Sequence, residues 1–453
     1  MIFRREPSSP PCPADAPATT CRPLSILLGQ EVYIADRRNG TTATAATKDG
    51  CTVEISFWIA DPPAVSYFSV HCPGSKSTAE ELDEEPHVVG AEGRFVLFRA
   101  LFASGPGEYD YFMYRAGDGV SAASLELVPP PDDRDGLFGV SEFGIVPRGN
   151  GGHYLVAALR DAKVSLDYEI RVYSSEDERW STKLLLNPLP GFEFKSLWIE
   201  KVITLGEGVL GWVDFRQGML VCNLLQEPPT ARYIPLPEPL PETRKKLESS
   251  QGRADLAHIR DLTCTNGVIR FIEMEHRIVV REIDPEKPSD PSLKDVLYDS
   301  DLITSRKRKY VDRETKKVKS MNGWRAVMWT RVIDSNCWFK ECVIDVDDIL
   351  VDDSTYSVLL SDQKDESLGN LTFRNMYSAW PTLGMGGDDL LYLTSSLNFS
   401  GQNGRVVAID LAKKTLKVKA LGAHSQTYRS CTLSSHLNMN PGHCCPSLML
   451  MKV

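Results

Sequence analysis

This 453-residue chain has no predominantly apolar run of about 18 residues, so nothing in it reads as a membrane-crossing helix. Its first 22 residues carry Arg4, Arg5 and a scatter of prolines but no apolar core of roughly 7–15 residues, which excludes a secretory signal. Excess basic charge is absent too: 51 Lys and Arg stand against 61 Asp and Glu, a net charge of −10 that speaks against general nucleic-acid coating. The eleven cysteines follow no recurring spacing, and with no secretory signal they read as free, mostly buried thiols rather than a disulfide framework. The sequons at Asn39, Asn370 and Asn398 read as coincidental for the same reason. Catalytic spacings are missing as well. The eight histidines form no H-x-x-x-H or H-E-x-x-H pair, no G-x-S-x-G elbow occurs, and His443-Cys444-Cys445 lacks a fourth metal ligand.

What the chain has is strands. Short segments rich in Val, Ile, Tyr, Phe and Trp recur between Gly, Pro, Asn and Asp, as at Val53 to Ile59, Phe95 to Leu101, Tyr109 to Tyr114, Tyr154 to Leu159, Glu169 to Tyr173 and Leu390 to Leu393. Long helical periodicity is nearly absent. Glu242 to Ser249 is the best helical segment, short and charged on most faces, and reads as a linker turn.

One unit repeats. An apolar strand ends in a polar residue, a turn follows, and a second strand runs to a proline or a polar break. The polar residues are Asp61, Arg115, Ser174, Asn223, Asp284, Asp345 and Asp410, about 50–65 residues apart, near the length of a propeller blade. A hairpin of this size cannot bury both faces alone, so the copies must stack around an axis. The expected fold is therefore all-β: a β-propeller-like ring of six or seven blades over residues 24–421. A leader occupies residues 1–23, a charged loop insertion residues 285–322, and an irregular tail residues 422–453. Two β-sandwich domains are the alternative.

Three motifs could carry chemistry. Gly206-Glu207-Gly208-Val209-Leu210-Gly211 matches the dinucleotide pattern G-x-G-x-x-G, but Trp212 to Phe215 continues as strand where a helix is needed, so a hairpin turn at Glu207-Gly208 is expected and no cofactor. Asp345, Asp347, Asp348, Asp352 and Asp353 lack the glycine and terminal glutamate of a calcium loop and read as a strand and its turn, with no metal. Arg306, Lys307, Arg308 and Lys309, followed by Lys316, Lys317 and Lys319, form the one dense basic run, with the composition of a nuclear-import signal or of a solvated loop. The eight tryptophans read as blade core.

Several stretches taken together carry a family resemblance: Tyr33 to Asn39, Asp61 to Phe68, Leu210 to Phe215, Arg232 to Pro237, Asp261 to Gly267 and Tyr298 to Leu302. With them the chain resembles the large, grass-expanded plant family known as domain of unknown function 1618, from about Leu27 to about Met439, with the named domain within residues 210–353. The resemblance implies no catalytic or binding residues.

The function expected from all this is a non-catalytic scaffold whose loops bind another protein, cytoplasmic, or nuclear if the basic run is an import signal. The alternatives are an enzyme with its site at the ring's channel and a nuclear regulator using the basic loop.

Overall fold

The computed structural model describes residues 25–433 apart from residue 31 and residues 75–76, 104–106, 119–120, 132–136, 138–139, 150–151, 162–167, 186–196, 250–254, 284–315, 361–371, 386–388, 398–403 and 419–427. Six small sheets form a six-bladed β-propeller. Blade 1 begins with β1 (Ile26–Gly29), β2 (Tyr33–Ile34), β3 (Ala43–Ala46), β4 (Thr52–Trp58) and β5 (Val65–His71). Blade 2 holds β6 (Leu82–Glu92), β7 (Phe95–Phe102), β8 (Asp110–Arg115) and β9 (Ser124–Val128). Blade 3 holds β10 (Gly144–Arg148), β11 (His153–Asp161), β12 (Tyr168–Ser174) and β13 (Arg179–Leu185). In blade 4 are β14 (Lys201–Gly206), β15 (Val209–Asp214), β16 (Gly218–Asn223) and β17 (Ala231–Pro235). Blade 5 has β18 (Arg260–Thr265), β19 (Val268–Ile283), β20 (Lys316–Val332) and β21 (Phe339–Asp345). Blade 6 has β22 (Tyr377–Leu383), β23 (Leu390–Ser396), β24 (Arg405–Asp410) and β25 (Thr415–Val418), and the chain returns to blade 1 with β26 (Tyr428–Cys431).

The return closes the ring. β26 pairs antiparallel with β1, Ile26 opposite Cys431 and Gly29 opposite Tyr428, so both ends of the described chain share one sheet. β1 and β2 in turn lie along β5 in parallel, and β4 and β3 finish the sheet. The tail expected from residue 422 onward thus contains a structural strand. Four residues, Y-R-S-C, carry too little alternation to announce one. The charged insertion is shorter than expected at its C-terminal end, because residues 316–322 lie within β20. Asp284 and Asp345 count as two repeats, but β19, which ends at Ile283, and β21, which ends at Asp345, belong to one blade, whose two middle strands are lengthened; hence six blades and not seven.

Middle strands read as unbroken apolar runs because both of their faces are covered. In β7, Val96 and Phe98 pack between blades 1 and 2, while Phe95 and Leu97 pack between blades 2 and 3. In β16, Leu220 and Cys222 face blade 3, and Met219 and Val221 face blade 5. Such interfaces continue around the ring, with Leu27 and Tyr428 meeting Tyr392 and Val406 where blade 6 adjoins blade 1. Each fully buried side chain of this size contributes roughly 1.5–3 kcal/mol.

Among the described residues three short helices, α1 (Thr78–Glu81), α2 (Pro241–Ser249) and α3 (Asp353–Leu360), lie between strands. α2 covers the segment read as a linker turn; Pro241 suits a first helical position, where no amide hydrogen is needed. No helix among the described residues is long and apolar enough to cross a membrane.

Candidate functional site

The glycine motif is a hairpin. Gly206 ends β14, Gly208 turns the chain at φ +72°, and Gly211 sits inside β15, where a Cβ would collide with Met219. The acidic stretch is taken up by neighbouring cations. Asp345 pairs with Arg277, Asp347 lies 3.3 Å from Arg277 and 2.9 Å from Arg374, and Asp348 lies 2.8 Å from Lys414. Asp352 accepts from Ser354 and Thr355 at the start of α3. Of the tryptophans, Trp212 and Trp324 are fully buried, but Trp198 departs from the expected core placement: it is 63% exposed, its ring 5.6 Å from the Arg216 guanidinium.

The first strands of successive blades, β6, β10, β14, β18, β22 and β26, neighbour one another around the axis and carry a ring of charges. Arg429 on β26 donates to both oxygens of Glu142 at 3.0 and 3.2 Å and to the Val88 carbonyl at 3.1 Å, joining blade 1 to blades 2 and 3. Lys201 on β14 lies 2.6 Å from Asp261 on β18, which also accepts the Leu383 amide of β22 at 2.8 Å. Thr204 donates to Glu92 at 2.7 Å, from blade 4 to blade 2. Burial raises the Glu92 and Glu142 carboxyls, and Arg429 opposes the rise at Glu142. Burial, with Arg429 and Arg99 nearby, lowers His87 to about 4, so this ring nitrogen stays neutral at pH 7. These groups answer one another: the ring is a set of inter-blade staples.

A second titratable cluster lies on blade 1. Asp36, Glu54 and His71 bring one ligand atom each within 4.8 Å, and Thr78 lies 3.4 Å from His71 Nδ1. Arg38 donates to Glu54 at 2.8 Å, so a divalent cation would have to displace a guanidinium. The arrangement satisfies itself as an ion pair.

Blade 5 is different. Of the ten large hydrophobic side chains exposed among the described residues, six belong to it: Ile278, Val279, Val280, Val332, Phe339 and Val343. Phe339 and Val343, 62% and 45% exposed, lie on the outermost strand β21. The other three-residue run stands on an arm. β18 pairs with β19 only as far as Glu273, and β21 with β20 only as far as Arg325, yet β19 and β20 pair with each other out to Ile283 and Lys316. At its base the arm is anchored: Glu275 accepts from Arg325 at 2.7 and 2.9 Å and from the amide of Glu242 in α2, and His276 Nε2 lies 2.6 Å from the Ser378 carbonyl. Beyond Arg277 the two strands run on for about 20 Å. Arg306, Lys307, Arg308 and Lys309 lie outside the described residues, in the connection between Ile283 and Lys316. Sequence reasoning missed the arm because its two strands are separated by that long polar connection, although the apolar run Ile278 to Val280 was present.

Residues 212–392 match the family described as Protein of unknown function (DUF1618). The match starts near the expected position 210 and runs past the expected 353, from β15 of blade 4 into β23 of blade 6. No curated protein matches the chain. One similar solved structure comes from work titled "Structural and Mechanistic Analysis of Two Prolyl Endopeptidases: Role of Inter-Domain Dynamics in Catalysis and Specificity". It aligns at 10% identity and a TM-score of 0.30, over 74% of this chain and 35% of that one, so this chain spans about a third of its length.

Proposed function

We propose that the protein is a non-catalytic scaffold that holds a protein partner against blade 5. The concentration of exposed apolar side chains there carries the reading: six of ten on one blade of six is a patch, whereas scattered single residues would need no explanation. The mutual pairing of the inner-ring charges supports the scaffold over a channel enzyme, because it leaves the convergent groups of the channel occupied by each other. The test is affinity capture with the full chain. Phe339→Lys with Val343→Lys is expected to reduce recovery of the captured partners about tenfold or more. Leu184→Lys with Leu225→Lys, on blades 3 and 4, should leave recovery unchanged. Equal recovery with all three proteins would sink the reading.

A second reading concerns location. The basic run falls in the connection that joins the far ends of the arm. We infer that Arg306, Lys307, Arg308 and Lys309 form a nuclear-import signal on a scaffold otherwise at home in the cytoplasm. Replacing all four with Ala should move a fluorescent fusion too large for passive diffusion from nucleus to cytosol, with the melting curve unchanged. If the unmutated fusion is already cytosolic, the import role is removed.

A further inference from the structure

Where blade 4 meets blade 5, the half-buried carboxylate of Glu200 takes two main-chain amides, Phe215 at 2.9 Å and Leu256. Phe215 belongs to the turn between β15 and β16 of blade 4, and Leu256 to the segment 255–259 that leads into β18 of blade 5. That segment is a junction in its own right. The Leu256 carbonyl accepts the Ile259 and Arg260 amides at 3.0 and 2.9 Å, the Ile259 carbonyl accepts the Met274 amide of β19 at 2.8 Å, and the His258 carbonyl accepts the Trp380 amide of β22 in blade 6 at 2.9 Å. Its link to blade 4 through Glu200 is the one that carries a titratable group.

Four charged groups face Glu200 among the described residues: Asp214 and Arg216 from the blade 4 turn, Asp255 from the segment and Arg260 from β18. Both arginines are committed elsewhere. Arg216 donates to Asp214 at 2.6 and 2.8 Å, and Arg260 lies 2.8 Å from Glu273. Both acids repel a charge on Glu200. From the two amides, the committed arginines and the flanking carboxylates, we propose that Glu200 is a proton-operated clasp between blades 4 and 5. Protonated, it holds segment 255–259 against the blade 4 turn; its proton passes to water when the segment opens and the carboxylate is hydrated. Burial, with Asp214 and Asp255, raises the Glu200 carboxyl to about 7 in spite of the two amides. An acid raised in this way binds its proton more tightly closed than open, where its ordinary value is 4.5. Closure is therefore strongest below about pH 4.5, weakens as pH rises to about 7, and is constant above that. The clasp is independent of what blade 5 binds.

The experiment is hydrogen exchange of the full chain, read by mass spectrometry and corrected for the intrinsic pH dependence of exchange. Protection of the Phe215 and Leu256 amides is expected to fall at least about tenfold between about pH 5 and 8 and to level off above pH 7. The Leu224 amide, bonded to the Gly208 carbonyl at the other end of blade 4, should not follow. Glu200→Gln keeps an acceptor oxygen and cannot ionise, so it should hold protection constant across the range. Asp255→Asn alters an exposed side chain, leaves folding intact and should move the midpoint to lower pH, because one like charge is gone. Protection that does not change with pH in the parent, or that changes equally in Glu200→Gln, overturns the clasp. An equal change at Leu224, or an unmoved midpoint in Asp255→Asn, overturns it as well.

Discussion

A chain cut after residue 427, lacking β26, is expected to lose its cooperative unfolding transition. That strand supplies the whole antiparallel ladder to β1, from Ile26–Cys431 to Gly29–Tyr428. It also buries Tyr428 and Cys431, followed by Leu433. At roughly 1.5–3 kcal/mol for each large side chain, with a net 0.5–1.5 kcal/mol for each ladder bond, the loss is of the order of 5–10 kcal/mol, much of the 5–15 kcal/mol that holds a typical domain folded. Arg429 goes with it, leaving buried Glu142 without its guanidinium. Burial already raises that carboxyl, so it can take up a proton and limit the damage. Arg429→Met in the intact chain should therefore cost less than the truncation and less as pH falls. Circular dichroism on heating should show a broad, shallow change for the cut chain, with rapid proteolysis at 25 °C. A sharp transition within a few degrees of the full chain would show that the ring does not depend on this closure.

The blades were legible because their signal is local. A hairpin announces itself through apolar strands broken by glycine, asparagine and aspartate, and Glu207-Gly208 turned the chain where a φ of +72° demands glycine. In blade 1 only the β4–β5 hairpin around Asp61 was legible. The rest of the sheet is assembled from strands separated by almost the whole chain, with β1 parallel to β5, and the pairing of Ile26 with Cys431 leaves no mark on either local pattern. The staples of the inner ring share that property. Glu92 and Thr204 are 112 positions apart, and Glu142 and Arg429 are 287 apart. In the sequence these are unremarked polar residues among apolar neighbours, and only closure of the ring makes them partners. For the arm, an apolar run was present at Ile278 to Val280, but the long charged connection after Ile283 concealed that β20 continues the same ribbon.

The largest effect expected from a single substitution is at Glu273. Its carboxylate and the Arg260 guanidinium have fully buried side chains 2.8 Å apart, at the interface of blades 4 and 5. Arg260 also donates to the Phe215 carbonyl and lies over the Phe271 ring at 5.5 Å, while the other oxygen of Glu273 accepts the Leu240 amide at 3.0 Å. An arginine cannot shed its proton, so Glu273→Gln leaves a permanent positive charge in the core that has lost its direct carboxylate partner and keeps only the more distant pull of Glu200 and Asp214. Breaking a buried pair in this way costs about 3–5 kcal/mol. The contrast with Glu142 is a matter of sign: an orphaned buried acid can neutralise itself, an orphaned guanidinium cannot. Arg260→Met combined with Glu273→Leu removes both charges and keeps similar volume. It should recover most of the loss, with about 1–3 kcal/mol remaining because the Phe215 carbonyl and Leu240 amide have lost their partners. Urea unfolding of the single and double variants against the parent measures the coupling directly. A single variant within about 0.5 kcal/mol of the parent, or a double variant less stable than the single one, would mean that the charge is relieved by a path other than Glu273.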